Sequence, residues 1–364
     1  IDSVDKLQCM GNSSTSTSQS DSFELTQDID ASGTSSWNSG KGFDPIGSYD
    51  SPFTGDFDGN GYTISDLTIS RSSTDYVGLF GYTGSGATVT NVTLADADVV
   101  GNNWVGALVG NHVGSDIRNV SAGGTITGKD YVGGVVGQIR NATVSDSSAS
   151  SNVTATAEFV GGLVGRMETG GSIQHSHATG SVNGNNRVGG LVGQFRGDYI
   201  KNSYATGSVD DTGTSEYDFG GLVGKFSNGG HITDSYATGS VNNTGRNTGG
   251  LVGYLVDSGE VTDSYATGNV TGEEANVGGL IGLNAGSGEV ANSSATGNVT
   301  GENNKVGGLI GGHTGTTVTT SSATGIVSGS DRVGGLVGLS TSTVTGSNAT
   351  GSVNGTEEVG GLGG

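Results

Sequence analysis

Apolar residues recur along this chain in short bursts of one shape. A valine, a glycine pair, a leucine, another valine or isoleucine and a further glycine make the phrase V-G-G-L-V-G. It or a near variant returns from residue 77 to the end. The first glycines are Gly78, Gly106, Gly133, Gly161, Gly189, Gly220, Gly249, Gly278, Gly307, Gly334 and Gly360, 26–31 residues apart. Two more phrases travel with it. V-x-D-S-Y-A-T-G runs from Val261 to Gly268 and recurs as Ile232 to Gly239 and Ile200 to Gly207. G-x-V-x-G follows, as in Gly268 to Gly272. Val, Ile, Leu, Tyr and Thr favour strands, and the Gly, Asn, Ser and Asp clusters between them favour turns. No segment holds a 3.6-residue apolar period long enough for a helix within the repeats.

Three strands of about five residues plus turns fill about 28 residues, one coil of a parallel β-solenoid. A propeller blade needs about 40–50 residues, and the leucine-rich and calcium-binding nonapeptide patterns are absent. The pattern therefore predicts an all-β, right-handed parallel β-solenoid (β-helix), with residues 77–364 as the repeat array. Eleven phrases at roughly 4.8 Å per coil give a rod on the order of 50 Å long. Because inward positions read as Gly, Ser, Ala and Val, the core is expected to be thin. Residues 1–76 differ and read as an N-terminal cap with opening coils. A short helix is expected over Asp2–Gly11, with Val4, Leu7 and Cys9 as its apolar residues. A Ser/Thr-rich loop follows, then an alternating strand Phe23–Ile29, then the segment Pro52–Ile69.

Composition narrows the function classes. Net charge is -21, from 35 acidic and 14 basic residues. Nothing in the sequence forms a basic patch to neutralise phosphates, so nucleic acid is not expected as a partner. No apolar run is long enough to cross a bilayer, so direct membrane insertion is not expected either. Such an acidic surface suits a high-salt habitat, where screening removes self-repulsion. A single cysteine, Cys9, excludes an internal disulfide framework and is expected to be a packed thiol. No signal peptide is read. Ile1 and the Gly363-Gly364 end, inside a repeat phrase, read as a trimmed product. N-glycosylation sequons stand at Asn12, Asn91, Asn119, Asn141, Asn152, Asn242, Asn269, Asn292, Asn298, Asn348 and Asn354.

The G-L-V-G phrases with their S-Y-A-T-G and G-x-V-x-G companions resemble the GLUG-motif repeat family. The leader F-T-G-D-F-D-G-N-G-Y-T-I-S-D-L-T-I is similar to the segment that precedes such repeats. The likeness covers about residues 23–364. It implies a secreted or surface-attached microbial protein, a stalk or adhesive array within a larger polypeptide. Some relatives carry peptidase domains, but no peptidase motif stands here.

Candidate chemistry is sparse. Asp56-x-Asp58-x-Asn60-Gly61 matches the first half of a calcium loop, with oxygen ligands at positions 1, 3 and 5 and glycine at 6. Its twelfth position is Leu67, so the competing reading is a glycine-rich turn. Asp234 and Asp263, like Glu260 and Glu289, take equal positions in adjacent coils. No recurrent base accompanies them, which favours a solvated acidic face over catalysis. His175-x-His177 lacks a third zinc ligand. Tyr204, Tyr236 and Tyr265 are expected to stack on successive coils, as a contact stripe if they point outward and as core if inward. The phrase V-x-D-S-Y-A changes parity between Val and Ala, so it must bend. A second ladder is Thr179, Thr206, Thr238, Thr267, Thr296, Thr324 and Thr350, where hydrogen bonding beside a turn is the expected role and an ice-binding surface the other.

These readings converge on a non-enzymatic, extracellular or cell-surface rod that displays or attaches to cell-surface glycans or proteins. The alternative is a filament subunit stacking head to tail or laterally on copies of itself, since residues 359–364 show no polar cap. A polysaccharide-active enzyme ranks below both.

Overall fold

The computed structural model describes residues 1–10, 18–213, 217–315 and 317–364, so the Asn12 sequon lies outside the described residues. Among the described residues the chain winds into a parallel β-solenoid made of one 31-stranded sheet and two 10-stranded sheets. A single coil shows the unit. Tyr217–Gly220 lies in one narrow sheet and Val223–Phe226 in the other, while His231–Thr233, Tyr236–Ala237 and Val241–Asn243 lie in the broad sheet. Five short strands thus replace the three expected per coil. Strands pair in parallel with their counterparts on both sides: Phe219 with Val188 and Thr248, Val223 with Val192 and Val252, Ile232 with Ile200 and Val261, Val241 with Val209 and Val270.

Inward residues form columns. Leu191, Leu222, Leu251 and Leu280 are fully buried one above another, as are Ile200, Ile232 and Val261. The core is fuller than the sequence suggested, because Met167, Phe195, Phe226 and Leu255 also form a buried column at the end of the second narrow sheet. The glycine pair makes the corner between the narrow sheets. A Cβ on Gly220 would stand 2.1 Å from the Val223 carbonyl oxygen, and one on Gly221 would stand 2.1 Å from that of Gly250. No side chain fits such approaches at Gly220 and Gly221, although the second position of the pair holds Ala107 in an early coil.

The parity change before the tyrosines has a defined cause. Asp146, His175, Asn202, Asp234, Asp263 and Asn292 all take a left-handed conformation, with φ between 48° and 52°. Asp and Asn tolerate that region best among non-glycine residues. The bend turns the next residue, a serine, into the interior. Ser176, Ser203, Ser235, Ser264, Ser293 and Ser321 are buried. Each hydroxyl donates to the carbonyl two residues back, as Ser264 does to Thr262 at 2.7 Å. Each also accepts the backbone N–H of the serine one coil earlier, as Ser264 Oγ does from Ser235 at 3.2 Å. The column satisfies backbone groups that the bend removes from the sheet ladder.

At the N-terminus a helix spans Val4–Cys9, capped by Ser3, whose side chain accepts from the Lys6 N–H. Leu7 and Met10 are buried and Cys9 is exposed, so the packed-thiol expectation is corrected. Six residues turn the helix so that Leu7 and Met10, three apart, share its inner face. The single strand expected over Phe23–Ile29 is two, Phe23–Glu24 and Ile29–Asp30. They pair with Asp56–Asp58 and Thr63–Ser65, which in turn pair with Thr88–Val100. Residues 23–70 are thus coils continuous with the repeat array.

Ser264→Ala removes the acceptor of the buried Ser235 N–H. Loss of about 1–3 kcal/mol of unfolding free energy is expected in denaturant titration. Thr262→Ala, which copies the Ala291 that pairs with it one coil later, is the control, with an expected change within about 0.5 kcal/mol.

Candidate binding surface

Tyr204, Tyr236 and Tyr265 point outward and stack, with ring centroids 4.9 and 4.8 Å apart and planes within 5°. His177 continues the stack on Tyr204 at 4.6 Å. The ring faces are therefore spent on one another, and the stripe presents ring edges and hydroxyls to solvent. Each end of the stack leaves a face open, that of His177 toward Ser148 and that of Tyr265 toward Ser294, and Tyr265 is 39% exposed. The threonine ladder runs alongside, two residues on, and every member is exposed.

A second outward column escaped the sequence reading. The residue two places before each first glycine also has a left-handed backbone: Tyr76, Trp104, Tyr131, Phe159, Arg187, Asp218, Asn247, Asn276, Lys305, Arg332 and Glu358. The same fixed offset that aligned Tyr204, Tyr236 and Tyr265 would have found it. Tyr76, Trp104, Tyr131 and Phe159 stack with centroids 4.7, 5.1 and 4.7 Å apart. The Arg187 and Arg166 guanidiniums close the stack, 4.9 and 5.0 Å from the Phe159 ring. Beyond Arg187 the column changes from rings to short polar side chains. Asn276 Nδ2 donates to Asn247 Oδ1 at 2.9 Å, and Asn247 Nδ2 donates to Asp218 Oδ1 at 2.8 Å. Asp218 is 3% exposed and its two amide neighbours 7% each. A recess of about 320 Å³ opens there, bounded by Arg187, Tyr217, Lys225, Arg246, Tyr254 and Leu283.

The structure brings the other candidates together less closely. Asp56 accepts from Ser22 at 3.2 Å and from Thr88 at 2.5 Å. Asp58 Oδ1 accepts the Asn60 N–H at 2.8 Å and Asn91 Nδ2 at 3.0 Å, while Asn60 Nδ2 reaches the Leu25 carbonyl at 2.9 Å. These oxygens serve a turn and its ladder, and no group of three His, Cys, Asp or Glu able to hold a metal occurs among the described residues. His175 meets Asn202 at 3.1 Å while His177 lies in the tyrosine stack, so the two imidazoles face different neighbours. Asp234 and Asp263 occupy the left-handed bend, and Asn292 donates to Asp263. Glu260 meets His231 Nδ1 at 2.9 Å, and Glu289 accepts from Thr319 at 2.8 Å. Of the sequons, Asn119, Asn141, Asn152, Asn242, Asn269, Asn292, Asn298, Asn348 and Asn354 are exposed, and Asn91 is half-buried.

Burial pushes the Asp218 carboxyl above the usual carboxylate range, against the Asn247 hydrogen bond and the Lys225 and Arg187 charges. An acid whose folded pKa exceeds its unfolded one ionises more readily in the unfolded chain. Its cost to stability is therefore absent below the unfolded pKa and complete above the folded one. Asp218→Asn is expected to raise the melting temperature at about pH 7 and leave it nearly unchanged at about pH 3. Equal shifts at both would show that ionisation of Asp218 plays no part.

Known proteins share these features. The GLUG motif matches residues 158–183, 215–242, 244–271 and 274–300. Over 160 residues, 42% of the chain, the sequence is 45% identical to halomucin of Haloquadratum walsbyi, covering 2% of that protein. Over 102 residues, 27% of the chain, it is 39% identical to a protein of Evansella cellulosilytica named as a glycine-rich membrane protein, covering 12% of it. The chain thus spans a small fraction of both relatives. The crystal structure of a Bacteroides ovatus protein assigned as an immunoglobulin A1 protease superposes with a TM-score of 0.50 at 20% identity, over 83% of this chain and 76% of that one. That likeness is one of fold. The matched segments coincide with coils whose corners, serine column and tyrosine stack are described above: this chain carries GLUG-motif repeats, wound as a parallel β-solenoid.

Proposed function

We propose that this chain is a non-catalytic rod segment of an extracellular or cell-surface protein, with structural and attachment roles. The observation that carries this reading is the in-register ladder running from Phe23 to Gly360. It arranges outward side chains of the strands in columns along the rod rather than converging several on a reacting centre. Nearest-neighbour stacking of this kind makes a stiff element that presents a long surface. The similarity to halomucin, from a halophile, supports a surface role. So does the net charge of -21, which suits a medium where the Debye length falls to about 3 Å at 1 M salt.

Small-angle scattering of the purified chain tests this reading. A rod about 60–70 Å in maximum dimension is expected, unchanged between dilute and molar salt, with a melting temperature that rises with salt. A flexible, expanded profile at every salt would overturn the rod, and release of new reducing ends from polysaccharides would overturn its non-catalytic character. Concentration-dependent fibres in electron microscopy would replace the single rod by the filament subunit.

A further inference from the structure

We infer that the recess over Asp218, Asn247 and Asn276 is a binding subsite for a neutral sugar unit of a glycan. This gives the attachment role above a ligand class and rests on that part of the reading alone.

The recess exists because the outward corner column changes size. Upstream the position holds stacked rings, ending with Phe159 under the Arg187 guanidinium. In the next three coils it holds Asp218, Asn247 and Asn276, whose shorter, buried side chains form the floor of the recess. The second narrow sheet supplies the opposite wall, Lys225, Tyr254 and Leu283 on successive coils. A flat ligand seated there continues the column of rings.

The floor is built for a group that donates and accepts. The amide chain runs one way, from Asn276 through Asn247 to Asp218. It leaves a buried carboxylate at one end and the Asn276 Oδ1, buried and without a donor, at the other. Gly312 follows Leu283 in register, and a Cβ there would come within 2.6 Å of the Asn276 oxygen. A buried carbonyl with no donor is unfavourable, and a ligand hydroxyl supplies one. The walls add the complementary parts: the Lys225 ammonium, 5.1 Å from the Tyr254 ring centroid, as a donor, and Tyr254 with Leu283 as an apolar surface for ring C–H groups.

Charge selects the neutral class. Among the described residues that line the recess three are cations, but Arg187 is paired with Glu158, Arg246 lies 3.7 Å from Glu274, and Lys225 faces Asp218. This lining is locally balanced in a chain of net charge -21, so an acidic sugar gains no unpaired cation from it and meets a repelling field. Sugar hydroxyls, each both donor and acceptor, match the alternation of carboxylate, amide and ammonium. The coil spacing of roughly 4.8 Å suits hydroxyls on alternate ring carbons.

The test is calorimetric titration of the whole chain in molar sodium chloride with a panel of methyl hexosides, and with glucuronate as the acidic probe. Each variant borrows the residue at the same register in a neighbouring coil: Asp218→Asn as at Asn247, Lys225→Gln as at Gln194, Tyr254→Leu as at Leu283, and Gly312→Leu as at Leu339, with the scattering profile checking that the rod is kept. At least one neutral hexoside is expected to bind, with affinity insensitive to salt. Asp218→Asn and Tyr254→Leu are each expected to weaken it about tenfold, and the recess-filling Gly312→Leu to abolish it. Absence of binding across the panel, preference for glucuronate, or unchanged affinity in Asp218→Asn and Gly312→Leu together would each overturn the assignment. The scattering profile, read on the same samples, is unaffected by any of these results, so failure of the sugar site is distinguishable from failure of the rod.

Discussion

Everything in this protein hangs on the hydrogen-bonded register between successive coils. Parallel pairing sets neighbouring strands roughly 4.8 Å apart, and each residue must then sit on its counterpart. That spacing leaves no room for a side chain where the backbone turns most sharply, as the 2.1 Å approach at Gly221 shows. Where the turn breaks the ladder, another hydrogen-bonding device must span the gap. The buried serine column does so, each hydroxyl joining a carbonyl of its own coil to an N–H of the coil before.

Register also decides what the surface can do. A residue type that recurs at one position becomes a column, and a column interacts first with itself. The tyrosine stack uses its ring faces internally, so outward direction alone does not make it a sugar platform. Recurrent acids at the bend serve the left-handed backbone and its amide neighbours. Distinct chemistry arises where a column changes character, because a new residue type then meets neighbours shaped for the old one. The step from Phe159 and Arg187 to Asp218 is such a place, and the recess follows from it.

Much of this was legible in the residues because the glycine landmarks are rigid markers. They set the period, the solenoid and the alignment of Tyr204 with Tyr236 and Tyr265, which the register bears out. Other features were misread for local reasons. Cys9 and Met10 are both apolar in type, and only the phase of the helix against the core made Met10 the buried one. Phe23–Ile29 alternates like one strand, yet its two ends pair with separate strands on either side of the Gly59–Tyr62 turn.

The sequence by itself determined the architecture, since a steady period of glycine corners and β-prone pieces admits one kind of stacking, and backbone hydrogen bonding enforces it. Tertiary structure alone decided which face each column presents. A single left-handed residue reverses the inside–outside alternation, and its φ is not written in residue type when Asp, His, Asn and Thr all adopt it. That reversal buried the serines and exposed the tyrosines. At the other corner the same conformation set Asp218, Asn247 and Asn276 in the floor of a recess, side chains separated by whole coils in the chain but by one strand spacing in space.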